Sequence, residues 1–245
     1  MVENILNFDT NDPSWKGILK IACIAAFLQL GYIFLNFFVL FTISGESPKT
    51  ALDYYTLIQN DPIKALLLID TASVILLFLY YFTSFGIFVI LSKKNEAYAI
   101  LLTVLIFIAV TIGISLNETL QMFNLSNKFG SATSSEVRSQ FISAGEAVIA
   151  SNLWNSTAGF FVGILLLSPF LLLSILMLQG SDFQRRTAIA GIICNGLDLI
   201  QHFTKLINPD LAVSILIIAG LVYPVWYIFL GFDFHRLGNQ TNNQI

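Results

Sequence analysis

Apolar stretches alternate with short polar segments along the whole chain, and their lengths predict membrane-spanning helices. Six stretches reach about 20 residues or more, the length of helix that crosses the hydrocarbon core of a bilayer. The predicted spans cover about residues 20–43, 65–91, 97–123, 154–179, 187–206 and 211–232. A polar segment, residues 1–14, precedes them, and a polar tail, residues 236–245, follows. The expected fold is an all-α, six-helix transmembrane bundle that forms one domain.

The polar connections differ in chemistry. Residues 92–96 and 180–186 read as tight basic turns, and residues 124–135, rich in Ser, Asn and Gly, predict a loop. Residues 50–59 could form a short surface helix. Residues 137–154 alternate apolar and polar side chains at helical spacing, which predicts a short outer amphipathic helix before the fourth span.

Composition supports the membrane assignment. The chain is 56% hydrophobic and only 11% charged, whereas soluble domains are about 45–50% apolar and about 25% charged. Cys23 and Cys194 lie inside apolar stretches, so we expect buried thiols and no disulfide. A net charge of −3 without a basic tail argues against a nucleic-acid partner and leaves the lipid bilayer as the expected surroundings. The abundance of Ile, Asn and Phe suggests an AT-rich prokaryotic source.

Basic residues predict the orientation. One side of the six-span arrangement holds Lys16, Lys20, Lys93, Lys94, Arg185, Arg186 and Arg236, and the other holds Lys49, Lys64, Lys128, Arg138 and Lys205. The first group lies in short segments, which the positive-inside rule weights most heavily. We therefore expect an inner-membrane protein with both termini in the cytoplasm.

The fifth predicted span contains the sharpest candidate site. Asn195, Asp198, His202 and Lys205 follow at steps of three, four and three, so a helix places them on one face. An ionised side chain at the centre of a membrane helix costs about 3 kcal/mol, and such residues usually face a partner or water. Asp198 and His202 therefore predict a ligand, proton or metal site, although a structural pair between helices is the alternative.

Other polar residues fall in the predicted outer half of the membrane. Together with the fifth span they suggest an outward-facing acidic cavity whose ligand-binding residues are Asp198, His202, Asp70, Glu118, Asn195 and Asn36. Three carboxylates and one imidazole, from Asp70, Glu118, Asp198 and His202, would suit a divalent metal such as Zn, Mn or Ca as a cofactor. No spacing motif ties these four residues together, so the metal is one option among several.

A stripe of small residues marks the fourth span. Gly159 and Gly163 form a GxxxG pattern, which suits close helix contact. The pattern predicts either a homodimer through these two glycines or close packing within one chain.

Three segments carry a family resemblance: residues 144–150 (AGEAVIA), the apolar stretch 159–178, and residues 186–191 (RTAIAG). In these and in the order of its segments the chain resembles a prokaryotic family of six-helix membrane proteins, the domain-of-unknown-function 4386 type. The resemblance implies the six-helix architecture. It implies no activity and no site residues, because the family has no assigned activity.

Three functions remain open from the sequence. The first is binding or movement of a small solute or ion through the acidic cavity. The second is a membrane-embedded hydrolase, metal-dependent or not, that acts on a lipid or amphiphile. The third is a structural or accessory subunit whose polar residues only hold helices together. No HExxH, nucleophile elbow or P-loop pattern occurs in the chain, so whether it is an enzyme stays undecided.

Overall fold

The computed structural model describes residues 13–42, 48–69 and 71–239. Regular structure in these residues is helical, and no strand occurs among them. The helices are α1 Pro13–Thr42, α2 Ala51–Asn60, α3 Pro62–Leu68, α4 Thr71–Ser115, α5 Thr119–Ser131, α6 Ser135–Ser151, α7 Thr157–Leu178, α8 Arg185–Thr204 and α9 Pro209–Gly238. The all-α prediction is confirmed. Most of the predicted N-terminal segment, the end of the predicted tail and Asp70 lie outside the described residues.

Four helical stretches of the described chain are long and apolar enough to cross a membrane, which supports a membrane protein. They are Ser14–Val39, Thr71–Ser131, Thr157–Leu178 and Pro209–Gly238. The second stretch includes all of α4, and Asn95 interrupts that helix with φ −135 and ψ 51. The break divides α4 into parts about 36 Å and about 30 Å long at 1.5 Å per residue. The stretches found do not include α8, so a six-span bundle is not confirmed.

The third predicted span ends earlier in the structure than the sequence indicates. Residues 97–123 do not form one helix, because α4 stops at Ser115 and α5 begins at Thr119. The side-chain oxygen of Asn117 accepts the backbone N–H of Thr119 at 3.1 Å, which satisfies a donor at the start of α5. Residues 124–131, predicted as part of a loop, belong to α5. The surface helix expected at residues 50–59 is present as α2.

The amphipathic helix and the fourth span predicted from the sequence are separate helices, α6 and α7. Asn152 ends α6, and its side-chain oxygen accepts the backbone N–H groups of Trp154 and Asn155, both at 3.0 Å. Ser156 then accepts the N–H of Gly159 at 3.0 Å and opens α7. These polar side chains offer the backbone an alternative to continuing the helix, so the span begins at Thr157 and not at residue 154.

The described chain forms two compact units. Unit 1 comprises Met1–Ile33, Phe78–Val110 and Gly163–Ile245, and unit 2 comprises Phe34–Leu77 and Thr111–Val162. In unit 1, Gly86 of α4 faces Ala22 of α1 so closely that an added methyl group would overlap it. The side-chain amide of Gln29 donates to Thr83 at 3.3 Å and joins the same two helices. The rest of unit 1 is the end of α7, together with α8 and α9.

Unit 2 contains a small bundle of α2, α5 and α6 with α3 beside it. Its buried core consists of Ala51, Tyr54, Tyr55, Ile58, Ala65, Ile69 and Met122. The α2 helix starts with a capping box, in which Thr50 and Asp53 satisfy each other's backbone N–H groups. Gly145 lets α6 approach α2, because a methyl group there would overlap the Tyr55 hydroxyl and Ala51.

Candidate functional site

The carboxylate of Asp198 is bound by a hydroxyl from the next helix. Asp198 lies half-buried in the C-terminal half of α8, and the Tyr223 hydroxyl of α9 donates to its Oδ2 atom at 2.8 Å. Both residues belong to unit 1, where α8 and α9 pack along each other. The pair is therefore a hydrogen-bonded carboxylate and phenol between two helices. A charge-assisted bond of this kind is stronger than one between neutral groups.

His202 follows Asp198 by one helical turn and contacts α7. Its half-buried imidazole interacts electrostatically with Asp198. The ring also fills the space beside Gly163, where an added methyl group would overlap its atoms. The predicted grouping of Asp198 with His202 on one helix face is therefore present, and α7 holds the imidazole from its other side.

Asn195 and Lys205 are the other two residues predicted on this face of α8. Asn195 is 1% exposed, and its amide donates to the Gly191 carbonyl one turn earlier at 2.8 Å and to the Cys194 sulfur at 3.5 Å. Asn195 thus bonds within its own helix. Lys205 is the residue that follows α8 and is exposed.

An aromatic cluster extends from the Asp198 pair into unit 1. The rings of Tyr223 and Tyr227 stack with centroids 5.9 Å apart, and the hydroxyls of Tyr227 and Tyr80 are 2.9 Å apart. Trp226 packs at 6.2 Å from Tyr223 and against Phe170 at 5.8 Å. The Trp226 Nε1 atom is buried and has no hydrogen-bond partner among the described residues. The site thus combines one carboxylate with several aromatic faces.

Sequence reasoning missed Tyr223 and the buried position of its neighbours. Trp226 and Tyr227 lie in the predicted sixth span, yet they are only 1% and 2% exposed. Their spacing from Tyr223 by three and four residues was a signal for a shared helix face. The spacing does not indicate which other helix this face contacts. The hydrogen bond between Tyr223 and Asp198 could therefore not be predicted from it.

A second polar cluster joins the C-terminal end of α9 to the start of α8. The residues of α9 that take part follow the predicted end of the sixth span, near residue 232. Asp233 is fully buried, and its Oδ2 atom accepts the Gln184 N–H at 3.0 Å and the Thr187 hydroxyl at 2.6 Å. Arg236 donates to its Oδ1 atom at 3.0 Å and also to the Asp182 carbonyl. The carboxylate lies at the N-terminus of α8, where it accepts the N–H of the N-cap residue Gln184 and where negative charge is favoured. These partners explain why α9 continues to Gly238 instead of ending near residue 232.

The remaining predicted site residues lie in unit 2 or outside the described chain. Glu118 is 6% exposed and occupies the N-cap position of α5, without a side-chain capping bond. Asn36 is exposed on α1, and Asp70 is not described. Glu146 has a clear structural role instead, because its carboxylate accepts the Ala51 N–H at the start of α2 at 2.7 Å.

The metal prediction finds no support in the described part of the chain. No group of three or more His, Cys, Asp or Glu side chains among the described residues is arranged to hold a metal ion. Since Asp70 was one of the four suggested ligands, the complete set stays a prediction. The two glycines of the GxxxG pattern contact their own chain: Gly159 packs on the Leu153 carbonyl and Gly163 on His202. Close packing within one chain therefore occurs at both glycines, and the homodimer stays a prediction.

Comparison with known proteins gives no relative from which a role could be transferred. No family model matches the chain, and neither a curated protein nor a solved structure matches it significantly. Membership of the domain-of-unknown-function family therefore stays a prediction.

Proposed function

We propose that this chain is a multi-pass membrane protein that binds or moves a small cation, including a proton, at Asp198. The observation that carries the proposal is the hydrogen bond of 2.8 Å between the Tyr223 hydroxyl and the Asp198 carboxylate. Ionisable groups in the membrane-embedded part of a protein are expensive, and they commonly mark pathways for ions and protons. The Tyr223 hydroxyl donates to one carboxylate oxygen of Asp198, and oxygens of this group can also bind a cation.

The chemistry of the surrounding side chains suits a positive ligand. A carboxylate is a hard oxygen ligand for metal cations and a hydrogen-bond acceptor for ammonium groups. Aromatic faces such as that of Tyr223 attract cations through the ring quadrupole. His202, one helical turn along α8, interacts electrostatically with the same carboxylate.

The proposed topology has six crossings: α1, the two parts of α4 on either side of Asn95, α7, α8 and α9. The α8 helix is about 30 Å long at 1.5 Å per residue, which is enough to cross the hydrocarbon core. In chain order it follows α7 and precedes α9, and both of those helices are long and apolar enough to cross a membrane. Because the number of crossings is even, both termini then lie on one side.

The proposed orientation puts the basic end of unit 1 in the cytoplasm, in accordance with the positive-inside rule. Asp198 follows Arg185 by 13 residues, which is about 20 Å along the helix. Asp198 and His202 then fall in the outer half of α8. A ligand would reach them from outside the cell, as in the acidic cavity suggested by the sequence.

The test is ligand-dependent stability of the detergent-purified protein. We expect its melting temperature to respond to pH or to one of a series of sodium, potassium, divalent and organic cations. The response should be lost in Asp198→Asn and altered in His202→Ala. Glu146→Gln, whose residue caps α2 in unit 2, is the matched control and should keep the wild-type response. Equal, small effects from all three variants would refute the assignment.

The same preparation distinguishes the alternatives by metal analysis. Stoichiometric divalent metal in the wild type that disappears in Asp198→Ala would make metal-dependent lipid hydrolysis the next activity to assay. A protein without metal whose stability ignores every cation and pH, but falls in Asp198→Ala, would assign Asp198 to helix packing alone.

A further inference from the structure

Seven cationic side chains gather at one end of unit 1. They are Lys16, Lys20, Lys93, Lys94, Arg185, Arg186 and Arg236. Contacts bring their segments together: Lys94 lies 3.6 Å from Asp182, Arg236 donates to the Asp182 carbonyl, and Gly238 packs on Lys16 and Lys20 of α1. The described segments at this end also carry three acidic residues, Glu96, Asp182 and Asp233. Cations are therefore in excess there.

Arg236 and Lys94 form ion pairs with acidic residues at this end of unit 1. Arg236 pairs with the buried Asp233 at 3.0 Å, and Lys94 pairs with Asp182. Arg185 and Arg186 open α8 with exposed side chains. The Arg186 guanidinium lies 4.7 Å above the ring of Phe229 in α9. Two adjacent guanidinium groups thus lie at the surface, and one of them is held over the α9 helix.

An exposed apolar strip continues from these two arginines along the hairpin. Ile189 and Ile193 follow Arg186 by three and seven residues on one face of α8 and are 42% and 44% exposed. Phe232, three residues after Phe229 in α9, is 52% exposed. The surface therefore changes from cationic to apolar along the helix axis, as the surface of a lipid changes from headgroup to acyl chain.

We propose that Arg185 and Arg186, with the strip formed by Ile189 and Ile193, bind an anionic phospholipid. Its phosphate would accept hydrogen bonds from the guanidinium groups, whose planar donors match phosphate oxygens. One acyl chain would cover the two isoleucines. Charge complementarity selects an anionic headgroup, and the strip selects a lipid over a soluble anion. The proposal is independent of any ligand at Asp198.

Lipid binding to the delipidated full-length protein in detergent tests the proposal. We expect phosphatidylglycerol to bind and to raise the melting temperature more than phosphatidylcholine with the same acyl chains. Arg186→Gln should weaken phosphatidylglycerol binding about fivefold, the contribution of one basic residue near an anionic surface. The control is Arg138→Gln, because Arg138 is also stacked on a phenylalanine, 5.7 Å above Phe129, but lies in α6 of unit 2. It should bind phosphatidylglycerol like the wild type.

Two outcomes would overturn the lipid site. One is equal binding of both lipids, or equal affinity of Arg186→Gln and Arg138→Gln for phosphatidylglycerol. The other is stabilisation by glycerol phosphate alone that matches the effect of the lipid, which would identify a site for a soluble anion. Ile189→Asn supplies a second variant with all charges intact, and it should weaken lipid binding while circular dichroism shows that the helices remain folded.

Discussion

The imidazole of His202 occupies the space that a side chain at position 163 would need. The contact joins the first residue of unit 1's α7 segment to the C-terminal part of α8, one helical turn beyond Asp198. A methyl group at position 163 would therefore displace the imidazole or move α7 away from α8. Gly163, one of the two glycines of the GxxxG pattern, thus contacts a residue of the candidate site.

Replacement of Gly163 tests this contact. Gly163→Ala should destabilise the protein by about 1–3 kcal/mol, because the methyl group forces the imidazole or the helix to move. It should also change the response to pH or cations, since His202 is displaced. Gly220→Ala in α9 is the control: nothing lies within 4 Å of a methyl group there, so it should leave stability equal or raise it by up to about 1 kcal/mol. Equal melting temperatures for the two variants would disprove the packing role.

The buried Asp233 should contribute much of the stability of unit 1. Asp233→Asn removes the anionic partner of Arg236 and weakens the cap of α8, so we expect a loss of about 3 kcal/mol. Asp182→Asn affects a partly exposed pair with Lys94 and should cost less than about 1 kcal/mol. Thermal denaturation of both variants in detergent measures the difference. Similar losses would mean that the Asp233 network is not a major contributor.

The bundle of unit 2 should lose stability at alkaline pH. Burial, and then the negative charge of Glu146, raises the pKa of the Tyr55 hydroxyl, which donates to the Phe141 carbonyl at 2.7 Å. The folded protein therefore holds this proton more tightly than the unfolded chain does. That stabilisation is complete below the unfolded pKa of about 10 and is lost as the pH rises through the higher folded value.

Melts between about pH 8 and pH 11 test this dependence against the ordinary phenol pKa. Tyr55→Phe should be less stable than the wild type at pH 8 by about 1 kcal/mol, because it lacks the hydrogen bond, and the difference should shrink at higher pH. Tyr98→Phe, at a position 64% exposed, should retain the wild-type pH profile. A constant difference between Tyr55→Phe and the wild type across this range would contradict the assignment.

The helical class, and the position of Asp198 and His202 one turn apart on α8, could be predicted from the sequence because both depend on local periodicity. A spacing of four residues places two side chains on one helix face whatever the rest of the fold does. Apolar length likewise indicates a membrane helix without knowledge of its neighbours. The structure adds what no periodicity contains: Tyr223 of α9 is the partner of Asp198, and Gly163 of α7 accommodates His202.

Polarity alone misled the prediction at the end of α9 and in the loop before α6. Asp233 and Arg236 looked like the start of a polar tail, yet their spacing of three residues allows a pair within a helix, and both find partners at the start of α8. Residues 124–131 looked like a loop because they are rich in Asn and Ser. They form part of α5, whose Met122 and Ser126 pack into the core of unit 2, and tertiary burial outweighs their low intrinsic helix propensity.

The most direct test of the proposed function uses the fluorescence of Trp226. The chain has three tryptophans, so Trp15→Phe with Trp154→Phe leaves Trp226 as the reporter, 6.2 Å from Tyr223. A cation or proton that binds Asp198 changes the charge on the group that accepts the Tyr223 hydrogen bond, and it should shift the Trp226 emission in a saturable titration. We predict that adding Asp198→Asn abolishes this titration. An unchanged titration in that variant, or no response of Trp226 to pH or any cation in its parent, would contradict cation binding at Asp198.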